Sequence, residues 1–363
     1  MRRLPSAGFA IHILKMRPLF QEGGPLKIRR TGQEQYEMSI PLPADSEGRT
    51  ARECPSVSCS PGYFKVKSGT GITENHTAAF CPYCRFSAEP GKFFTKRQLE
   101  YAKDVMKQEA LGGMKEAVKD ALGIRSSGKR TLVNGLIKVE LSLKSSSPPP
   151  VYRPFEEALQ RTVICPHCGL DHAVFGLATW CADCGADIFL THVEAELEVI
   201  RVMLGDIPRR QEELGKRIGG RDMENCLEDV VSIYEAVLRA MLVRALTNRG
   251  KTSDEIHDIL KRRVANRLQS VPLSQQTIVE VLDMNIFESV SSTEVDKLRR
   301  TFEKRHPITH NLGVVDRKYI ERLRTAEREG REVLVTPKEI AEAMALVFKI
   351  VGNLHCRLFS SAT

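Results

Sequence analysis

LRRTFEKRHPITHNLGVVDRKYIERL, residues 298–323, is the stretch on which the reading of this chain turns. Val295, Leu298 and Phe302 recur at intervals of three and four, the mark of one apolar helix face, and the next step along that face falls on a cation, Arg305. A guanidinium there is partly buried, a costly position unless an anion or a carboxylate meets it. His310 follows in the spacing R-x4-H; in an unbroken helix residues five apart are rotated by about 140° and diverge. Pro307 disfavours helical backbone at His306, so the helix is expected to break there. Such a break lets Arg305 and His310 converge, or lets each meet its counterpart across a two-fold interface. The plainer alternative has His310 packing a helix start and Arg305 paired with a carboxylate such as Asp316.

Charge collects on the same stretch. Between Arg299 and Arg324 eight basic residues stand against three acidic ones, a local +5 in a chain of formal net charge +8. Arg299, Arg300, Lys304, Arg317 and Lys318 are therefore candidates for contact with a nucleic-acid backbone, although a solvated helix face has the same composition. RNA suits the pair of residue types. Its 2′-hydroxyl is an internal nucleophile, so cleavage needs an imidazole to move a proton and a fixed cation for the charge developing on phosphate oxygens. His310 fits the first task and Arg305 the second, without a catalytic metal.

Outward from this motif, the chain reads as helical from Thr191 to its end. Residues 222–246 place Met223, Cys226, Leu227, Val230, Tyr234, Val237, Met241 and Ala245 on one stripe. Further helices are expected at about 192–204, 253–267, 275–288, 292–305, 316–328 and 337–359, the last capped by Thr336 with Pro337 at its first position. Helices of comparable length joined by short loops form a bundle. Cys226 and Cys356 fall in apolar helical patterns and read as core residues.

Two cysteine constellations precede the helices. Cys165-Pro-His-Cys168-Gly and Cys181-Ala-Asp-Cys184-Gly, twelve residues between the pairs, have zinc-ribbon spacing, with a glycine after each pair to turn the knuckle. Cys54 and Cys59, spaced C-x4-C, with Cys81 and Cys84 form a looser version. Trp180, the only tryptophan, and Phe175 are placed over the second ribbon's small core, and four thiolates leave no zinc valence for His167 or His172. Two structural Zn2+ ions are expected, in a reducing and therefore cytoplasmic compartment. A redox role lacks its βαβ context. Thr95 caps a helix to about Leu111, with a second helical piece after Gly112-Gly113; Asn134-Gly135 marks a hairpin, and Ser145 to Pro150 a linker. The domain boundaries that follow are 1–15 as a disordered tail or a start misplaced ahead of Met16, 16–130 as a first zinc ribbon with its trailing helix, 131–150 as hairpin and linker, 151–190 as a second ribbon, and 191–363 as the helical bundle.

The stretch from RRTFEKRHPITHNLGVVDRKYIERL through GREVLVTPKEIAEAMALVFKIVGNL resembles the C-terminal half of the HEPN superfamily, helical domains named for their occurrence in higher eukaryotes and prokaryotes. That family's pattern of arginine, polar residue and histidine falls here on Arg305, His306 and His310. The likeness covers about residues 222–363 and implies a homodimer whose two motifs line one cleft. It also implies metal-independent endoribonuclease activity leaving a 2′,3′-cyclic phosphate, in settings such as bacterial defence or toxin-like systems. The fold class expected is α+β multidomain, two zinc-ribbon β modules followed by an all-α bundle. RNA, a second copy of the chain and a partner protein are the expected partners, and no membrane. A non-catalytic adaptor that binds nucleic acid or a nucleotide is the second reading.

Overall fold

The computed structural model describes residues 20–33, 35–72, 77–124, 129–134, 137–142, 150–154, 157–325 and 327–359, with 129–141 followed through the backbone alone. The expected N-terminal tail and most of the Ser/Pro linker lie outside these residues, as does Gly135 of the hairpin turn. The chain divides into two compact units, one of Met1–Glu53 with Gly91–Ala158, the other of Cys54–Pro90 with Leu159–Thr363.

The first unit is small. Strands β1 (Arg29–Arg30) and β2 (Tyr36–Glu37) pair antiparallel, and β3 (Arg49–Glu53) buries Ala51. Helix α1 (Lys96–Leu122) starts at Thr95, whose hydroxyl accepts from the Gln98 amide while the Gln98 side chain caps in return; the Gln98 amide group also donates to the Ala51 carbonyl at 3.0 Å. The expected break at Gly112-Gly113 does not occur. α1 runs through both glycines and ends at Gly123, whose left-handed backbone (φ 59°) makes the C-cap. Beyond it β7 (Lys129–Asn134) and β8 (Ile137–Ser142) pair antiparallel with Asn134 opposite Ile137, the register of the expected hairpin.

In the second unit the two cysteine modules interlock. Strand β4 (Tyr63–Lys67), between the pairs of the first module, hydrogen-bonds antiparallel to β10 (Asp171–Val174), which also pairs with β9 (Arg161–Ile164) from the second. A short ladder of β5 (Ala79–Phe80) with β6 (Ser87–Ala88) brackets the Cys81–Cys84 turn. The Phe80 amide donates to the Ala182 carbonyl, and the amides of Thr179 and Trp180 to that of Pro82. The Tyr83 hydroxyl donates to the Tyr63 carbonyl at 2.7 Å and accepts from the Phe175 amide at 2.9 Å, crossing between the modules.

Helices follow without an intervening linker. α2 (Phe189–Leu214) packs against α3 (Lys216–Asn248), and every residue of the expected α3 stripe from Met223 to Ala245 is buried. Around α3 lie α4 (Ser253–Ile259), α5 (Val271–Leu282), α6 (Ser292–Glu303), α7 (Arg305–His310), α8 (Arg317–Leu323) and α9 (Pro337–Phe359). The Tyr234 hydroxyl meets Ser274 at 2.8 Å and its ring meets Phe302 edge-on at 5.4 Å, so the one polar atom of this buried ring is satisfied. Cys226 is buried as expected; Cys356 is exposed, because it lies off the stripe of α9 that carries Val351 and Leu354. The fold is α+β, with small antiparallel sheets and cysteine modules ahead of a helical region. No helix among the described residues is long and apolar enough to cross a membrane.

Candidate functional site

Each set of four cysteines is gathered into one cluster, Cys54, Cys59, Cys81 and Cys84 in one and Cys165, Cys168, Cys181 and Cys184 in the other, with all sulfurs within 4.8 Å of one another. Sγ separations of 3.7 and 3.6 Å in the first and 3.7 and 3.5 Å in the second are far too long for disulfides. They match the roughly 3.8 Å edges of a tetrahedron with Zn–S bonds of about 2.3 Å. Three of the four corners share one turn. The amide four residues after the first cysteine donates back to its carbonyl, from Arg85 to Cys81, Gly169 to Cys165 and Gly185 to Cys181. That fourth residue is left-handed each time, with φ of 62°, 77° and 67°. Glycine takes this conformation freely; Arg85 does so under strain, while its guanidinium lies 4.3 Å from the centroid of the Trp180 ring. Burial pushes the Cys59 thiol up to about 12 and the Cys168 thiol up to about 11, so an entering cation displaces protons. Both clusters fit structural zinc. His167 is exposed and His172 is buried in β10, neither of them in a cluster.

Trp180 covers less of a ribbon core than expected. It is half-buried, with Arg85 on one side and Arg244 of α3 4.4 Å from the ring centroid. Arg244 also donates to Asp187 at 2.6 Å, and His355 of α9 reaches the same carboxylate at 3.3 Å. Burial alone would raise Asp187, but these contacts prevail and hold it at about 2.

The second constellation is a groove of about 510 Å3 on the helical region. α6 ends at Glu303 and α7 begins at Arg305, with Lys304 between them still at helical dihedrals (φ −58°, ψ −27°), so the interruption falls two residues ahead of the expected break at His306. Pro307 sits in the first turn of α7, where a missing N–H is tolerated, and His306 stays helical. Four residues apart on this short helix, His306 and His310 face each other with ring centroids 5.1 Å apart. Arg305, His306 and His310 all line the groove, together with Arg299, Arg322, Glu303 and Thr309. Arg305 is half-buried, as the stripe implied.

The partner of Arg305 is neither an anion nor Asp316. Its Nη1 donates to Gln269 Oε1 at 2.7 Å, and Gln269 Nε2 donates to Glu235 Oε2 at 2.7 Å. Asp316 instead caps α8 through the Tyr319 amide at 2.7 Å. A neutral amide orients the guanidinium without neutralising it, and among the described residues no carboxylate forms an ion pair with Arg305. Gln269 is itself held in a short turn after Ala265, a non-glycine residue at φ 41° and ψ −121° whose carbonyl accepts from Arg239 at 2.8 Å. Burial, and then the Arg322 guanidinium, push the His306 imidazole below its ordinary 6.5.

The other basic candidates scatter. Arg299 lines the groove while paired with Asp296 at 2.7 Å, and Arg300 binds that same carboxylate. Lys304 turns away to the Leu334 carbonyl and Glu339, both at 2.6 Å. Arg317 pairs with Glu321 along α8, and Lys318 is exposed outside the groove. Arg322, Gln269 and Asn266 line the groove without having stood out in the sequence. Comparison with protein-family models, with curated proteins and with solved structures finds no match to this chain. The class defined on these grounds is a protein with two four-cysteine modules that fit structural zinc, joined directly to a helical region.

Proposed function

We propose that this chain is a metal-independent endoribonuclease whose site is the groove of Arg305, His306 and His310. The observation that carries the reading is the neutral clamp on Arg305, which leaves a full, oriented positive charge facing a groove that also holds two imidazoles. In the reaction, the 2′-oxygen of a ribose bonds to the adjacent phosphorus as the bond from phosphorus to the 5′-oxygen breaks. One imidazole takes the 2′-hydroxyl proton, and the other, His310 in its protonated form, gives a proton to the departing 5′-oxygen, which leaves a 2′,3′-cyclic phosphate and a 5′-hydroxyl. Burial, and then the Arg322 guanidinium, favour the neutral form of His306, which suits it to accept the first proton. Arg305 holds the charge that grows on the non-bridging oxygens. The resemblance of residues 222–363 to the HEPN superfamily supports this assignment and extends it to a homodimer and a role in bacterial defence, and the paired, metal-like cysteines add a reducing, cytoplasmic setting.

RNA is assigned to the helical groove and not to the cysteine modules. Residues 54–90 and 159–188 carry four Lys and Arg against five Asp and Glu. Each zinc tetrathiolate adds a formal charge of about −2, because a divalent ion meets four thiolates. That is a poor surface for a polyanion, and the modules are assigned to bracing and to a partner protein. One observation favours the adaptor reading instead: among the described residues no hydrogen bond orients the imidazole of His306 or His310. Incubating the zinc-loaded chain with labelled RNA in EDTA separates the two. Cleavage that disappears in Arg305→Ala and in His310→Ala, with the fold retained by circular dichroism, is expected; cleavage surviving both substitutions, or binding with no product, would sink the nuclease.

A further inference from the structure

We propose that the groove beside Arg305 contains a nucleobase subsite, formed by Pro272 and Leu273 as an apolar wall and by Asn266 and Ser270 as its polar edge. The inference rests on the reading of Arg305 as a phosphate contact, and adds what lies next to the phosphate. A phosphate alone needs cations and donors and has no use for an apolar wall. Yet Leu273, 41% exposed, and its neighbour Pro272 line the same groove as three arginines and two histidines, with Phe302 among the lining residues. A volume of about 510 Å3 is of the size that holds a small organic ligand and not merely an oxyanion.

Hydrogen-bonding capacity next to that wall is uncommitted. Ser270 stands at the N-cap of α5, but its hydroxyl does not cap the helix, whereas Thr95, Thr252 and Ser291 at the same position of α1, α4 and α6 all do. Asn266 is exposed at the groove and its side chain has no hydrogen-bond partner among the described residues. Its neighbour Gln269, by contrast, has both ends of its amide occupied by Arg305 and Glu235. A side-chain amide presents a donor beside an acceptor, and every nucleobase has an edge that pairs with such a couple. An apolar surface flanked by an amide and a hydroxyl that have no hydrogen-bond partner among the described residues suits the face and the edge of a base whose phosphate meets Arg305.

Calorimetric titration of the full-length, zinc-loaded chain with inorganic phosphate, ribose 5-phosphate and the four nucleoside 3′-monophosphates tests this, since none of these ligands can be cleaved. At least one nucleotide is expected to bind roughly tenfold more tightly than ribose 5-phosphate, the gain expected for burying part of a base on an apolar wall. Leu273→Ser should remove most of that gain and leave the affinity for inorganic phosphate unchanged. Asn266→Ala with Ser270→Ala should alter the ranking of the four bases. Nucleotides that bind no better than ribose 5-phosphate, or a gain and ranking untouched by these substitutions, overturn the subsite while leaving the phosphate contact standing. Phosphate binding that is absent, or indifferent to Arg305→Ala, overturns the phosphate contact and the subsite with it.

Discussion

Exchanging the charge of two neighbouring residues isolates what Gln269 does. In Gln269→Glu combined with Glu235→Gln the shapes, the net charge and the number of hydrogen bonds are kept, since the amide introduced at position 235 donates to the carboxylate introduced at position 269, just as Gln269 donates to Glu235 now. The negative charge changes position, and with it Arg239 loses the carboxylate that it meets at 3.1 Å. Glu235 is separated from Arg305 by one amide with contacts of 2.7 Å on either side; the exchange brings a carboxylate directly against the guanidinium. Moving a unit charge from about 7 Å to about 4 Å at an effective dielectric near 20 strengthens its attraction to Arg305 by about 2 kcal/mol. Solvent in a half-open groove screens about half of that, so a bound phosphate loses about 1 kcal/mol, roughly a fivefold drop in affinity. Fluorescence anisotropy with a labelled, uncleavable 2′-deoxy oligonucleotide at several salt concentrations reads this out. Weaker binding with a shallower salt dependence is expected, because one effective phosphate contact is lost. An exchanged protein that binds like the parent at low salt, when Arg305→Ala does not, refutes the argument that the amide matters because it is neutral.

Other consequences are open to measurement. Metal analysis should find two zinc ions per chain and one in Cys181→Ser, and the emission of the sole tryptophan should shift in that variant because Arg85 and Arg244 lose their places about its ring. His306 should titrate by NMR with a midpoint below 6.5. Between that midpoint and the unfolded value the unfolded chain binds more protons, so acidification through the window destabilises the fold through this group, and His306→Gln should flatten that part of the stability curve. Gly185→Ala should cost about 1–3 kcal/mol and lower the melting temperature, since the added Cβ meets the Phe80 ring at 2.9 Å in a left-handed turn of φ 67°.

Elements that owe their form to a repeated local signal could be read in advance. The stripe of α3 is legible because burial on one side requires an apolar residue every three or four positions, and the start of α9 because Thr336 and Pro337 serve the unpaired N–H groups of a first turn. Cysteine spacing identified both clusters, since a tetrahedron tolerates few loop lengths. Breaks were less legible. Two glycines cost about 1 kcal/mol each in a helix, too little to stop α1 amid strong helix formers, and a proline in the first turn of α7 forfeits no hydrogen bond. Gln269 carried no signal at all. It lies 36 residues before Arg305, and an amide that meets a guanidinium that far along the chain looks in a sequence like any surface glutamine. The same holds for the strand pairing of β4 with β10, which joins segments roughly a hundred residues apart, far beyond the reach of any local signal.

Ile188 donates its N–H to Thr179, closing the hairpin of the second cysteine module, and the very next residue begins α2. There is no slack at this junction, and Asp187, gripped by Arg244 and His355, pins it from the other side. Any displacement of the module would therefore have to break the contacts of Asp187 with Arg244 and His355 or carry α2 along with it.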